Sequence, residues 1–184
     1  MNMNHLIVLD FDGVIADTAA LKKTIAERML ARAVEPGELS SGRIEAGKSS
    51  LTLNEYRDIQ NEAYTNPLSI QELAPYPESL ETIALWTEKG VQVRVVTART
   101  GDMLRDAERW LVAHGTPLEC VGVGHNESKV EYIRGANVFV DDDPRHVRDA
   151  TPVTDRAFLM RAPHNDHDDS VRAINSLADI LLRD

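Results

Sequence analysis

Five short strand-like runs stand out along the chain, and most of them end in polar or acidic positions; the first is apolar without alternation from Leu6 to Leu9. They are LIVLDF at 6–11, VQVRVVTA at 91–98, LECVGVG at 118–124, NVFVDD at 137–142 and AFLMRA at 157–162. An unbroken run such as 6–9 predicts a strand covered on both faces, the habit of parallel sheets. Between most of them lie segments of helical period at 79–89, 102–115, 128–135 and 170–183. Gly90 and Gly115 stand where helices commonly end in a glycine cap. Alternating strands and helices predict right-handed βαβ units, hence an α/β fold with a parallel five-stranded sheet flanked by helices.

One interval breaks the rhythm. Between Asp17 and Pro75 there is helical pattern at 18–33 and 52–64 but no strand, with a Gly- and Ser-rich joint at 35–50. The return path APYPES (74–79) carries two prolines, which stiffen re-entry. The expected organisation is a core of residues 1–16 and 76–184, with a small helical cap at 17–75 inserted after the first strand. Ligands of open α/β sheets bind beyond the carboxyl ends of the strands, so an insertion there sits over the site as a lid. A helical hairpin packed on the flank of the sheet is the alternative.

Composition narrows the partners. The chain has 184 residues, a formal net charge of -10 and a pI near 5.0. That balance argues against binding of polymeric nucleic acid, which needs clustered Lys and Arg, but leaves room for a small phosphorylated substrate that meets only a local field. Cys120 is the single cysteine. It has no internal partner for a disulfide, so a reducing compartment is expected, and its apolar surroundings predict a buried filler. No segment approaches the ~20 apolar residues of a membrane span, and the N-terminus lacks a signal-peptide pattern. A cytoplasmic protein is expected. The oligomeric state has no signal in the sequence.

The candidate chemistry sits at the ends of the apolar runs. In an extended strand Asp10 and Asp12 would face one way while Phe11 packs the other. Two like charges side by side are costly unless a cation or proton intervenes, which points to a divalent metal. The second core run ends at Thr97, the third leads to Ser128 and Lys129, and the fourth ends in Asp141, Asp142 and Asp143. Asp143 followed by Pro144 is also a standard helix start. The segment PHNDHDDS (163–170) places His164 and His167 among aspartates, but its spacing matches no closed metal site.

In this order the motifs resemble those of the haloacid dehalogenase superfamily of phosphotransferases. DFDGV (10–14), VVTAR (95–99), Lys129 ahead of a helix, and VDDD (140–143) match its four motifs, and the resemblance spans the whole core. TAR, DDDP and PHN (163–165), with the short helical insertion, look most like the deoxyribonucleotidase-type branch, whose members often show DDRP and PYN there. The resemblance implies a Rossmann-like core and an Mg²⁺-dependent phosphomonoesterase. Asp10 would be the nucleophile, and Asp12 the acid and then base at the leaving oxygen. The metal would be held by Asp10, the backbone carbonyl of Asp12, Asp142 directly, and Asp141 directly or through water. Thr97, Ala98 and Phe11, with nearby backbone N–H groups, would bind the phosphoryl oxygens, and Lys129 would neutralise nucleophile and phosphoryl group together. Arg99 either reaches substrate phosphate or pairs with a core carboxylate.

Competing expectations share this core. One is a sugar-phosphate phosphatase or phosphosugar mutase; another is a phosphoacceptor similar to response-regulator receivers. The acid two residues beyond the nucleophile and the helical insertion speak against a receiver. A non-catalytic binding module is disfavoured because every catalytic position holds a competent residue. Within the insertion, Lys48, Ser49, Tyr56 and Arg57 are candidate specificity contacts, since they flank or begin its second helix.

Overall fold

The structure, a computed structural model, describes residues 5–125 and 127–182, so the outermost parts of the expected core, 1–4 and 183–184, lie outside it. Six strands form one parallel sheet: β1 (Leu6–Leu9), β2 (Gln92–Thr97), β3 (Glu119–Gly122), β4 (Val138–Asp141), β5 (Ala157–Met160) and β6 (Ala173–Ile174). Their order is β3-β2-β1-β4-β5-β6. The chain therefore leaves β1 toward β2 on one side and finds β4 on the other. That reversal is the switch point at which α/β sheets open a crevice.

The lack of alternation has its predicted cause. Ile7 and Leu9 face one hydrophobic cluster with Phe11, Val95, Val140 and Trp110. Val8 faces the other, with Val96, Phe139 and Ile133. Both faces of β1 are thus dry, and all three residues are fully buried.

Helices α5 (Ser79–Glu88), α6 (Gly101–Ala113), α7 (Val130–Ile133) and α8 (Pro144–Ala150) connect the strands. Gly90 and Gly115 close α5 and α6 with left-handed backbone, as their position predicts. Asp143 caps α8 by accepting from the Arg145 N–H at 2.8 Å, with Pro144 in the first turn.

Two expectations are corrected. The sheet has six strands rather than five, and the segment expected as a helix at 170–183 supplies the sixth. Ile174, Leu177 and Ile180 are buried at helix-like spacing, but Asn175, Ser176 and Asp179 compete with the helix through local hydrogen bonds. The Asp179 carboxylate accepts from the Asn175 and Ser176 N–H groups, and the Ser176 hydroxyl accepts from Ala178 N–H. What forms instead is a two-residue strand that satisfies the exposed edge of β5, followed by a 3-10 turn at Leu177–Asp179.

Between β1 and α5 come α1 (Thr18–Leu30), α2 (Ser41–Glu45), α3 (Leu53–Thr65) and α4 (Ser69–Glu72). The Gly- and Ser-rich joint at 35–50 contains α2 and a 3-10 turn at Pro36–Glu38. Helix α1 packs on α3, and α4 reaches α6. The two ends of this segment are paired: Asp17 N–H donates to Ala74 O at 2.9 Å, and Tyr76 N–H to Ile15 O at 2.7 Å. Among the described residues no helix is long and apolar enough to cross a membrane.

Candidate active site

The switch point puts the ends of β1 and β4 side by side, and Asp10 N–H bonds Val140 O at 2.9 Å across them. Asp10, Asp141 and Asp142 each bring a carboxylate oxygen within 4.8 Å of the others. Lys129, just ahead of α7, places Nζ 2.9 Å from Asp10 Oδ2 and 2.8 Å from Asp141 Oδ2. Asp141 is fully buried. Its Oδ1 accepts from Asp143 N–H at 2.8 Å, and its Oδ2 meets His146 Nδ1 at 3.1 Å.

Asp142 is held from behind. The Asn165 amide donates to Asp142 O at 2.7 Å and to Met160 O at 2.9 Å, while His164 Nε2 lies 3.3 Å from Asp142 Oδ2. Gly13 gives it room. A methyl group there would stand 2.1 Å from Asp142 Oδ2, and the backbone at Gly13 has φ of +74°. This explains physically why a glycine follows the two aspartates.

Charge is frustrated in this cluster. Burial pushes the Asp10 carboxyl up to about 7; Lys129 opposes the shift, and Asp141 and Asp12 reinforce it. Burial also raises Asp142 well above the usual carboxylate range, helped by Asp141 and Asp10. Asp141 is disfavoured by burial as well, but Lys129 and His146 overcome that and hold it near 2. One lysine cannot satisfy three carboxylates. An all-oxygen donor set carrying excess negative charge fits a hard divalent cation, and Asp10, Asp141 and Asp142 are the side chains that could hold one.

Asp12 stands apart from that group. Strand pairing stops at Leu9, and the Asp12 carboxylate turns to Arg99, accepting from Nε at 2.9 Å and Nη2 at 2.8 Å. The Thr18 hydroxyl, at the start of α1, donates to Asp12 Oδ1 at 2.6 Å. Burial alone would raise the Asp12 pKa; Arg99 and Thr18 outweigh it and hold it below the usual range. Of the two roles open to Arg99, the structure shows the carboxylate pair.

The remaining expected residues are placed as follows. Phe11 is fully buried against Trp110, and its N–H is taken by Asp10 Oδ1 at 2.7 Å. Thr97 is fully buried at the end of β2, its hydroxyl accepting from Arg99 N–H at 3.3 Å. Ala98, between them, is partly exposed. Cys120 is half-buried, and burial pushes its thiol up to about 12.

The insertion meets the site through residues the sequence did not single out. Lys48 and Arg57 are exposed, Tyr56 is buried, and Ser49 donates to Glu38 O at 3.0 Å. The side chains near the carboxylates are Tyr64, at the end of α3, and Lys22 of α1, whose Nζ lies 4.9 Å from the Tyr64 ring centroid. Burial raises the Tyr64 pKa, with Asp12, Asp142 and Asp10 adding to the shift. Asn165 was marked by the PHN motif, though not as a residue of the site, and His146, in the first turn of α8, carried no comparable mark. Of the two histidines in PHNDHDDS, only His164 reaches the carboxylates; His167 is exposed beside Asp166.

Among solved structures, the chain is similar to CbbY from Rhodobacter sphaeroides in complex with phosphate. TM-score is 0.61 and identity 18%, covering 96% of each chain. It is also similar to a predicted phosphoglycolate phosphatase from Haemophilus somnus 129PT, at TM-score 0.59 and 16% identity over 97% of each chain. A phosphonoacetaldehyde hydrolase-like protein from Oleispira antarctica aligns at TM-score 0.54 and 14% identity, covering 85% of this chain and 72% of that one. At these identities the likeness shows the fold. No curated protein matches in sequence at a significant level. The family model for 5' nucleotidase, deoxy (pyrimidine), cytosolic type C protein matches residues 4–183. The chain is thus a phosphatase of the haloacid dehalogenase-like group, and it belongs to the 5' nucleotidase, deoxy (pyrimidine), cytosolic type C family.

Proposed function

We propose that this phosphatase is an Mg²⁺-dependent phosphomonoesterase that hydrolyses a small phosphorylated metabolite of the mononucleotide class through an aspartyl-phosphate intermediate. The observation that carries the reading is the convergence of Asp10, Asp141 and Asp142 at the β1–β4 switch point, with Lys129 between the first two. Mg²⁺ would be held by Asp10, Asp142, Asp141 and the backbone carbonyl of Asp12. Bound there, it supplies positive charge to a phosphoryl oxygen and to the nucleophile, which otherwise repel one another.

The chain's own residues then divide the work. A carboxylate oxygen of Asp10 attacks phosphorus as the bond to the leaving oxygen breaks. Asp12, held ionised by Arg99 in the free chain, must first take up a proton as the anionic substrate binds; it then delivers that proton to the leaving oxygen and later takes one from the water that hydrolyses the acyl phosphate. Lys129, positively charged and almost fully buried, offsets the charge of Asp10 and of the transferring group. Thr97 and Ala98, at the end of β2, line the phosphoryl site. Arg99 acts here on Asp12.

The reading takes 17–75 as a helical cap on a core of 1–16 and 76–184. The paired entry and exit at Asp17 and Ala74 support this, as does the approach of Thr18, Lys22 and Tyr64 to the carboxylates. It also takes the enzyme as cytoplasmic, in keeping with the cytosolic type named in the family description.

The test is a panel of phosphorylated metabolites, assayed for phosphate release with Mg²⁺ and with excess chelator. Mononucleotides should be the preferred substrates, and hydrolysis should cease in chelator. Preference for sugar phosphates would move the substrate class, and full activity in chelator would remove the metal.

A further inference from the structure

The Asp12 carboxylate is bonded edge-on by the Arg99 guanidinium, through Nε at 2.9 Å and Nη2 at 2.8 Å. Such a fork is planar and rigid, so the plane of the guanidinium fixes the direction in which the carboxylate points. What fixes that plane is therefore of mechanistic interest. Arg99 is 5% exposed, and its Cζ lies 5.0 Å from each of two aromatic ring centroids, those of Phe11 and Tyr64. Phe11 is anchored beside β1, edge-on to Trp110. Tyr64 belongs to α3, in the inserted segment, and carries the Lys22 ammonium on the same ring.

We infer that Tyr64 is a positioning residue: its ring face holds the Arg99 guanidinium so that Asp12 is aimed at the leaving oxygen. The inference rests on the phosphatase reading with Asp12 as proton donor. Arg99 bridges the two parts of the chain, since its stem comes from the end of β2 and its guanidinium meets a ring from each part. Guanidinium–ring contacts are directional, so an aliphatic side chain at 64 fills space without holding the plane. Asp12 then loses its aim, while Asp10, Lys129 and Thr97 are untouched. Displacements of about 1 Å in a reacting group cost up to about a hundredfold in rate.

The defect has a signature that a packing role lacks. Phenyl phosphate and p-nitrophenyl phosphate have nearly the same shape, but phenolate needs a proton to leave and p-nitrophenolate does not. The measurement is kcat/KM for both esters with Mg²⁺ in the full chain, because this constant covers the steps up to departure of the leaving group. Tyr64→Leu should lower kcat/KM for phenyl phosphate on the order of tenfold more than for p-nitrophenyl phosphate, a part of the general-acid contribution. Tyr64→Phe, which keeps the ring face, should retain the wild-type ratio of the two esters. That ratio does not depend on the folded fraction, and Tyr64→Met provides the same comparison if the leucine variant does not fold. Equal losses on both esters, or none, would overturn the role assigned to Tyr64 while leaving the phosphatase intact. Failure of the wild-type chain to cleave either ester would instead overturn the phosphatase reading, and this inference with it.

Discussion

Lys129 Nζ lies 2.9 Å from Asp10 Oδ2, and only 2% of the lysine side chain is exposed. This buried ion pair joins the end of β1 to the turn before α7, and a second bond from the same ammonium, 2.8 Å to Asp141, ties in β4. Breaking a buried pair by removing one partner leaves an uncompensated charge, at a cost of about 3–5 kcal/mol. Lys129→Met should therefore abolish turnover and destabilise the metal-free protein by about that amount near pH 8. The loss should shrink as the pH falls and the carboxylates protonate. Chemical denaturation at pH 8 and pH 5 in chelator checks this; equal losses at the two pH values would mean that charge is not the cause.

Asp10→Asn should lower phosphatase activity by more than about a thousandfold, since the amide does not attack phosphorus. The metal-free variant should nonetheless melt at a higher temperature than wild type near pH 8, because one member of a repelling cluster is gone. Residual activity within about tenfold of wild type would remove Asp10 from the nucleophilic role.

The metal-free protein should lose stability as pH rises from about 4 to about 7. Asp10 is raised by burial from 3.8 to about 7, and Asp142 is raised in the same sense. In that window the folded chain holds protons that the unfolded chain has released, so unfolding gains with each step upward. The contribution is complete below the unfolded value and gone above the folded one. On the proposed reading Mg²⁺ binds the ionised carboxylates, so its stabilising effect should grow through the same window. Thermal melts in chelator and in Mg²⁺ across pH 5 to 8 test this, and parallel profiles would contradict it.

Gly13→Ala should disable the metal cluster without touching a ligand. The added methyl would meet Asp142 Oδ2 at 2.1 Å in a backbone with φ of +74°. Strain of this kind costs about 1–3 kcal/mol, and relief requires Asp142 to move. Mg²⁺ affinity by titration calorimetry should fall together with stability. Unchanged affinity would show that Asp142 is not held against Gly13 when metal is bound.

The sheet and most of the carboxylate cluster were legible in the sequence, for local reasons. A strand dry on both faces must be apolar for most of its length, which made β1 and β4 readable. Asp10 and Asp141 follow from the rule that parallel sheets place their chemistry at strand ends, and Lys129 from its match to a family motif ahead of a helix. Asp143 and Pro144 announced a helix start, and the structure has one. Local pattern misled at 170–182, where Ile174, Leu177 and Ile180 keep helical spacing while the unfilled edge of β5 takes Ala173 and Ile174 into the sheet.

Only the tertiary structure decided what Asp12 touches. Spacing predicts that it shares a side with Asp10; the fold separates the two because the chain turns at Gly13 and Arg99, 87 residues away, captures the Asp12 carboxylate. Tyr64 and His146 were illegible for the same reason, and the PHN motif marked Asn165 without showing what it bonds. Each acts through a residue distant in sequence, and a side chain's identity says what it can bond but not what the fold brings within reach. The sequence determined five of the strands and which charges stand at their ends; the tertiary structure decided which side chains of the inserted segment, Thr18, Lys22 and Tyr64, come within reach of those charges.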